Sequence, residues 1–395
     1  MTPERVTASF AMELTSFGRG GWNGCFHCGS CTATCPLSEQ GLLFPRKAMA
    51  LAQMGLKGRI TSNLTPWLCY YCGDCSVQCP RDANPGETMM VLRRYLTSVY
   101  DWTGLARKFY TSHWWEIFAI LFIGSIVAVL FGVVNPHGIV TALNEQGGVR
   151  LNEMFPVKWV HLGDWVMAAG ISFFLVSNIA RMWYYTLYRH HPGRLPLGVY
   201  ISEAWNLALH FSTQWRFGKC DDRKYWASHW LLMTGYTVMF TMIVLFLPWF
   251  QTEKIYLWYE PQRLLGYYAT FALFTGLVYF FIGRVRKAGR MFAFTHVSDW
   301  LFILMLFLST LTGILLHFFR ITGMPAATYY MYIVHMSVLV PMLVVEVPFS
   351  KWAHLAYRPF AVYFSRIINR INFAVAEPCP EPCQRVEATA DNKNG

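Results

Sequence analysis

Charged residues are scarce in this sequence. Asp, Glu, Lys and Arg together make up 14% of its 395 residues, whereas a soluble domain has about 25%. Hydrophobic residues make up 54% and aromatic residues 17%. The shortage of charge excludes an ordinary soluble protein and indicates a membrane protein, in which Trp and Tyr gather at the membrane–water interfaces.

Acidic residues are the scarcer of the two charged kinds, and their shortage leaves a net charge of +11. The Lys and Arg residues cluster in the connections between apolar stretches, not along one amphipathic element. Because positively charged loops stay on the cytoplasmic side of a membrane, this surplus indicates orientation in a membrane and not a nucleic-acid partner. The first residues also lack the basic start and apolar core of a cleavable signal peptide.

Six apolar stretches are long enough to cross a bilayer as helices, which takes about 20 residues each. Together with the basic connections they predict a multi-pass protein of the cytoplasmic membrane with both termini in the cytoplasm. The predicted spans are 115–134, 163–185, 229–250, 264–283, 297–319 and 329–349.

Cysteine is rare outside one short region, since eight of the eleven cysteines lie in residues 25–79. A reducing cytoplasm disfavours disulfides, so these eight indicate metal or cluster ligands. They form two boxes with the spacing C-x2-C-x2-C-x3-C-P, which is typical of [4Fe–4S] clusters. Box one contains Cys25, Cys28, Cys31 and Cys35, and box two contains Cys69, Cys72, Cys75 and Cys79.

In paired boxes of this kind, the fourth cysteine of each box reaches the cluster of the other box. We therefore predict one cluster held by Cys25, Cys28, Cys31 and Cys79, and a second held by Cys69, Cys72, Cys75 and Cys35. A pair of structural zinc sites is the alternative. It fits less well, because zinc ligands usually come as two separated pairs.

Histidines lie near both ends of the predicted spans. A haem b between helices needs an axial ligand on each face, and histidine is the common choice. On an unbroken helix, the 19 residues from His335 to His354 rise about 28 Å. This places His354 at the inner membrane face with His229, and His335 at the outer face with His317 and His161. The sequence thus predicts two haems b, although a satisfied interfacial histidine is an alternative for each of these residues.

The segment between the boxes, FPRKAMALAQMGLKGRITSN, has apolar residues at helical spacing. Helices between the boxes distinguish this region from a small ferredoxin, which has strands in that segment. Together with WLCYYCGDCSVQCP, the region resembles the α-helical ferredoxin module of the heterodisulfide reductase C subunit and of the succinate dehydrogenase iron–sulfur subunit.

The last two spans contain HVSDWLFILMLFLSTLTG and HMSVLVPMLVVEVPFSKWAHL. They resemble the haem b gamma subunit of respiratory nitrate reductase and the heterodisulfide reductase E subunit. In that family two histidines of the final helix ligate different haems, and these match His335 and His354, while His229 matches the inner-haem ligand. A further family histidine is replaced here by Met239. The outer haem is therefore absent or uses a second ligand from among His317, which we favour, Met239 and His161.

The order of the parts resembles the QmoC-type membrane subunits of quinone-interacting membrane-bound oxidoreductase complexes in sulfate reducers, over about residues 20–360. The resemblance implies electron transfer between membrane quinone, haem b and two clusters, with two cytoplasmic flavin and iron–sulfur subunits as partners. It further implies a route from menaquinol to adenylylsulfate reductase in sulfate respiration.

Three alternatives remain. One is a heterodisulfide-reductase-like complex that acts on thiols or disulfides. Another is a membrane anchor with clusters but no working haem. A non-redox transporter would need paired acidic residues or broken helices in its spans, for which Glu346 and Pro341 give thin support.

The expected fold is mainly α, with an α-helical ferredoxin domain fused to a six-helix transmembrane cytochrome b bundle. The expected domains are a cytoplasmic two-cluster domain (1–108), a membrane haem b domain (109–360) and a largely disordered cytoplasmic tail (361–395). The expected role is that of an electron-transfer subunit of a quinone-dependent oxidoreductase, with cofactor ligands and no catalytic side chain.

Overall fold

The computed structural model describes residues 5–40, 44–135, 138–190, 196–214 and 223–375. About 75% of the structure is helical, and these residues contain no β-strand. The mainly α fold and the helices between the boxes are therefore confirmed.

The N-terminal part is a compact set of short helices around one longer helix. That longer helix, α7 (Pro85–Tyr100), is capped by Asn84, whose side chain accepts a hydrogen bond from the N–H of Glu87, and Pro85 occupies its first turn. Its side chains are buried on nearly every face, because helices surround it. The helices are α1 Phe10–Thr15, α2 Ser30–Thr34, α3 Arg46–Gln53, α4 Lys57–Thr61, α5 Thr65–Leu68, α6 Asp74–Val77, α7 Pro85–Tyr100 and α8 Leu105–Thr111.

Six helices in the described part of the chain are long and apolar enough to cross a membrane. All six overlap the predicted spans, as expected for a multi-pass membrane protein. The helices of this part are α9 His113–Val134, α10 Leu151–Met154, α11 Val157–Trp183, α12 Leu197–Thr213, α13 Arg223–Val244, α14 Leu247–Phe250, α15 Pro261–Val285, α16 Val297–Ile321, α17 Pro325–Pro341, α18 Val347–Phe349 and α19 His354–Val375. The bundle end next to the N-terminal domain is called the near end, and the opposite end the far end.

Proline residues interrupt the regular α-helix in two of the predicted spans. The third span was predicted to reach residue 250, but α13 ends at Val244. Pro248 has no N–H to offer the carbonyl of Val244, and its ring clashes with that carbonyl. In the last span, α17 passes into a π-helical turn at Met342–Glu346.

The prediction of an unbroken helix from His335 to His354 is wrong. The backbone leaves the helical conformation at Ser350, which has φ −126° and ψ −146°, and His354 begins the separate helix α19. Pro341 and Pro348 each withhold a backbone N–H, so the regular hydrogen-bond ladder cannot run through this segment.

The C-terminal helix α19 ties the two parts together. Its buried residues Ala361, Phe364 and Ile367 join the core of the N-terminal domain. Residues 361–375 of the predicted disordered tail are instead helical, because apolar residues three and four apart form one buried face. Residues 376–395 of the predicted tail lie outside the described residues.

The long connection between the second and third spans contains the helix α12. Its Glu203 is buried and forms ion pairs of 2.6 Å with both Arg366 and Arg370 of α19. Its other face leaves Leu197, Ile201 and Trp205 exposed, as expected for a helix at a membrane surface.

Candidate cofactor sites

The two cysteine boxes have the same backbone conformation. His27 and Tyr71 occupy matching positions and have φ of 59° and 60°. Gly29 and Gly73 follow each second cysteine and have φ of 93° and 88°. The short helices α2 and α6 begin directly after these glycines. A left-handed turn that glycine adopts at little cost thus brings three cysteines of each box together.

One cavity is lined by cysteines from both boxes. Its wall includes Cys25, Cys28 and Cys31 of box one together with Cys79 of box two. Burial raises the pKa of Cys31, and the thiols of Cys25, Cys28 and Cys79 are near enough to raise it further. The backbone N–H of Ala83 donates to Sγ of Cys79 at 3.3 Å. This grouping matches the crossed set predicted for the first cluster.

The remaining cysteines form a matching second group. The pKa of Cys75 is raised by burial and then by the thiols of Cys69, Cys72 and Cys35. The N–H of Tyr71 donates to Sγ of Cys69 at 3.3 Å. Burial raises the pKa of Cys35 to about 11 and that of Cys72 to about 12. Such thiols are protonated on their own, and metal binding displaces their protons.

In the described residues, no group of three or more His, Cys, Asp or Glu side chains is arranged to hold one metal ion. In a [4Fe–4S] cluster, by contrast, each iron takes a single cysteine.

Residues 21–83 match the family of 4Fe-4S dicluster domains. Comparisons with curated proteins and with solved structures found no significant match. The chain thus combines an iron–sulfur dicluster domain with membrane-spanning helices, and the role this combination supports is electron transfer in a membrane protein.

Box two of the dicluster domain touches the near end of the bundle. Tyr70, the residue after Cys69, lies in the wall of a cavity that also contains His229 and His354. The guanidinium of Arg358 lies 4.9 Å from the centre of the Tyr70 ring. Arg93 donates to the carbonyl of Cys69. This space, called the near cavity, therefore lies directly beside the second cysteine group.

His229 and His354 face each other across the near cavity. Their ring centres are 6.2 Å apart, with a 63° angle between the rings. Two metal–nitrogen bonds of about 2 Å each plus two ring radii of about 1.1 Å give about 6 Å between centres. The spacing is therefore compatible with both rings binding one metal ion.

Hydrogen bonds set the tautomer of both rings. Nδ1–H of His229 donates to Oε1 of Gln214 at 2.8 Å, and Nδ1–H of His354 donates to the carbonyl of Lys351 at 2.5 Å. In this tautomer Nε2 carries no hydrogen and is the ring nitrogen that can bind a metal. Burial also lowers the pKa of His354 well below its ordinary value, so the ring stays neutral.

The near cavity is strongly cationic. Five cations and only two carboxylates line it, an excess of three positive charges. Burial, followed by the charge of Arg358, lowers the pKa of Arg93 to about 9, and so Arg93 remains charged at neutral pH. A buried excess of cations favours an anionic occupant, such as a haem with its two propionates. The cations are Arg93, Arg94, Arg284, Lys351 and Arg358, and the carboxylates are Glu87 and Asp299.

A second cavity, the far cavity, lies toward the opposite end of the bundle. It is lined by His335, His317 and Met239. Nδ1–H of His335 donates to Oγ1 of Thr312 at 2.9 Å, because that hydroxyl donates its own hydrogen to a backbone carbonyl. His335 thus has the tautomer of a metal ligand. Gly313 gives the ring room, since a Cβ there would lie 3.2 Å from Cε1.

His317 lies in the far cavity but has both ring nitrogens engaged. Nη1 of Arg263 lies 2.7 Å from Nδ1 and 3.3 Å from Nε2 of His317. The hydroxyl of Tyr267 also lies 3.2 Å from Nε2. For His317 to bind a metal through either nitrogen, its contact with Arg263 must be lost. His161, the third candidate, is engaged instead by the carbonyl of Val244 at 3.0 Å.

Sequence reasoning missed the residues that support the near pair. Gln214 and Lys351 orient the two histidines, and Arg358 lies between the near cavity and box two. Arg358 stands four residues after His354, one helical turn along α19, so helical spacing from a candidate ligand would have found it. Gln214 directly follows α12 and has no such local signal.

Proposed function

We propose that this protein is a QmoC-type membrane subunit that transfers electrons between membrane quinone, haem b and two [4Fe–4S] clusters. Cys25, Cys28, Cys31 and Cys79 hold one cluster, and Cys69, Cys72, Cys75 and Cys35 hold the other. One haem b occupies the near cavity between His229 and His354. A second occupies the far cavity with His335 as one ligand.

The observation that carries this proposal is the contact between box two and the near cavity. Tyr70 follows a cluster cysteine and shares a cavity wall with both members of the histidine pair. An electron that passes between the two sites therefore crosses packed protein and no solvent-filled gap. In an anchor without redox function, nothing would require this contact.

The histidine spacing and the cationic lining support a haem in the near cavity. When bound, haem b supplies one-electron redox chemistry. The chain itself sets the ring orientation through Gln214 and Lys351. Its cations stabilise the reduced state, which carries one more negative charge.

The far cavity supports a second haem less completely. His335 has the tautomer of a metal ligand, and His317 and Met239 are the two candidates for the second ligand. Because Arg263 contacts both ring nitrogens of His317, we favour Met239, whose thioether can ligate haem iron. The quinone reacts within the membrane domain.

The two clusters differ in exposure, and this gives the order of transfer. Box two faces the bundle, whereas Cys28 of box one is exposed to solvent. Phe26 beside it is also exposed and has the guanidinium of Arg81 at 5.8 Å from its ring. We assign box one as the exchange point with two cytoplasmic flavin and iron–sulfur subunits, and through them with adenylylsulfate reductase. This order places the near end of the bundle and both termini in the cytoplasm.

A reduced-minus-oxidised spectrum of the purified protein, with menaquinol as reductant, tests the proposal. The expected result is haem b absorbance together with electron paramagnetic resonance (EPR) signals from two reduced clusters. Cluster signals without haem b absorbance would contradict the proposal and favour the membrane anchor. Haem and clusters that menaquinol leaves oxidised, but that a thiol substrate reduces, would favour the heterodisulfide-reductase-like alternative.

A further inference from the structure

Two carboxyl groups meet inside the bundle at its near end. Glu116 lies in the first turn of α9, and Glu346 ends the π-helical turn of the last span. They are 1% and 0% exposed. Ionisable residues buried in membrane spans are costly and usually functional, and neither carboxyl belongs to the cofactor sites described above.

Few hydrogen-bond donors reach this pair. Ser350 donates from Oγ to Oε1 of Glu116. Both carboxyl oxygens of Glu346 are buried and accept no well-formed hydrogen bond, and the Ser350 hydroxyl and the Lys351 backbone N–H lie close to them. The two carboxyls are within hydrogen-bonding reach of each other. A proton on one of them adds a donor, because a protonated carboxyl donates to a neighbouring carboxylate.

The neighbouring charges do not replace that proton. Tyr110 of α8 and Asp299 of α16 face the pair, as do Ser350 and the backbone N–H of Lys351 after the last span. Arg94 of α7 lies near Tyr110. Lys351 is paired with Asp299, and Arg94 is paired with Glu87 at 3.0 Å. Two buried carboxylates in contact cannot both be ionised at moderate cost, which favours a proton on the pair.

The near cavity connects this pair to the histidine site. Tyr110, Arg94, Asp299 and Lys351 all line that cavity. Ser350, which bonds Glu116, precedes Lys351, whose carbonyl accepts the hydrogen bond from His354. The carboxyl pair is therefore close enough to respond to a change of charge between the two histidines.

We propose that Glu116 and Glu346 share one proton and exchange further protons with the near-end solvent as the near cavity changes charge. When one electron enters that cavity from quinol or from a reduced cluster, a proton from water forms an O–H bond on the ionised carboxyl oxygen. When the electron leaves, that O–H bond breaks and the proton returns to water. The shared proton needs only the carboxyl pair, whereas the coupling to the electron rests on the proposed haem at His229 and His354.

Infrared difference spectroscopy of the full-length purified protein tests this proposal. The expected spectrum contains a C=O band of a protonated carboxylic acid at neutral pH, and this band shifts in D2O. Glu346→Gln should abolish the band, because Glu116 then ionises and accepts hydrogen bonds from Ser350 and the new amide. Glu116→Gln should shift it in frequency. Glu145→Gln, on an exposed loop, is the matched control and should leave it unchanged.

Redox-induced difference spectra of the same samples test the coupling. Reduction should increase the intensity of this carboxylic acid band in the wild type and not in Glu346→Gln. A wild type without the band, a band that ignores D2O, or a band unchanged in both glutamine variants would overturn the shared proton. If the band is present while haem b absorbance is absent, the haem assignment fails and the proton site stands. If haem b is present and the band ignores reduction, the coupling is overturned.

Discussion

The near and far cavities are both lined by histidines, but they differ in how hydrogen bonds orient those histidines toward a cofactor. The far cavity is the larger, about 280 Å³ against about 140 Å³. Only the near cavity has two histidines that face each other, each with its Nδ1–H bound to an oxygen acceptor. In the far cavity one histidine is prepared in this way and the other accepts a hydrogen bond from Arg263. The two cavities therefore differ in the histidine tautomers that their hydrogen bonds fix. This difference, and not the cavity volume, gives the near cavity a complete pair of candidate ligands.

The largest effect is expected when one of the two histidines of the near cavity is replaced. His354→Ala should remove the near haem and about half of the haem b absorbance, because the site loses one of two axial ligands. The cluster EPR signals should remain. His296→Asn is the matched control, since His296 caps α16 through its side chain and Asn is a good N-cap. Unchanged haem b absorbance in His354→Ala would show that the near assignment is wrong.

A smaller effect is expected at the far cavity. Met239→Leu should leave the far haem bound through His335 alone, so a high-spin EPR signal should replace part of the low-spin signal. His317→Ala should leave the low-spin signal unchanged. The opposite pattern, with loss only in His317→Ala, would assign His317 as the second ligand and make the two cavities alike.

Removing a positive charge from the near cavity should change the redox potential of the near haem and leave that of the far haem unchanged. Arg358→Gln removes a cation from the near cavity, and the reduced state loses that stabilisation. We expect the near midpoint potential to fall by about 60 mV, which corresponds to about 1.4 kcal/mol for one electron. The far potential should stay constant in the same redox titration. Equal shifts at both haems would indicate a general structural change.

The smallest effect is on stability at acidic pH. Burial lowers the pKa of His354 in the folded protein, while the unfolded chain takes up the proton near pH 6.5. The folded state therefore binds fewer protons, so its stability is complete above about pH 6.5 and declines as the pH falls below that value. The melting temperature should fall with pH over this range, and the fall should be shallower in His354→Ala. Parallel curves for the two proteins would contradict a buried neutral His354.

Local pattern predicted much of this molecule. The spacing within the boxes and between them predicted the two cysteine groups, because cluster ligation depends on short sequence distances that the glycines at 29 and 73 make accessible. Apolar length predicted all six spans, since the bilayer requires a fixed length of helix. The prolines of the last span were visible in the sequence, but the π-helical turn and the break at Ser350 depend on packing against neighbouring helices.

What the sequence by itself determined is therefore the dicluster domain, the membrane helices and the identity of the candidate ligands. Only the tertiary structure decided which of them act together. It placed Tyr70 of box two against the histidine pair, brought Gln214 and α19 into the site, and set Glu116 beside Glu346. Those contacts join residues more than a hundred positions apart or from separate helices, and sequence spacing specifies only neighbours within a few helical turns.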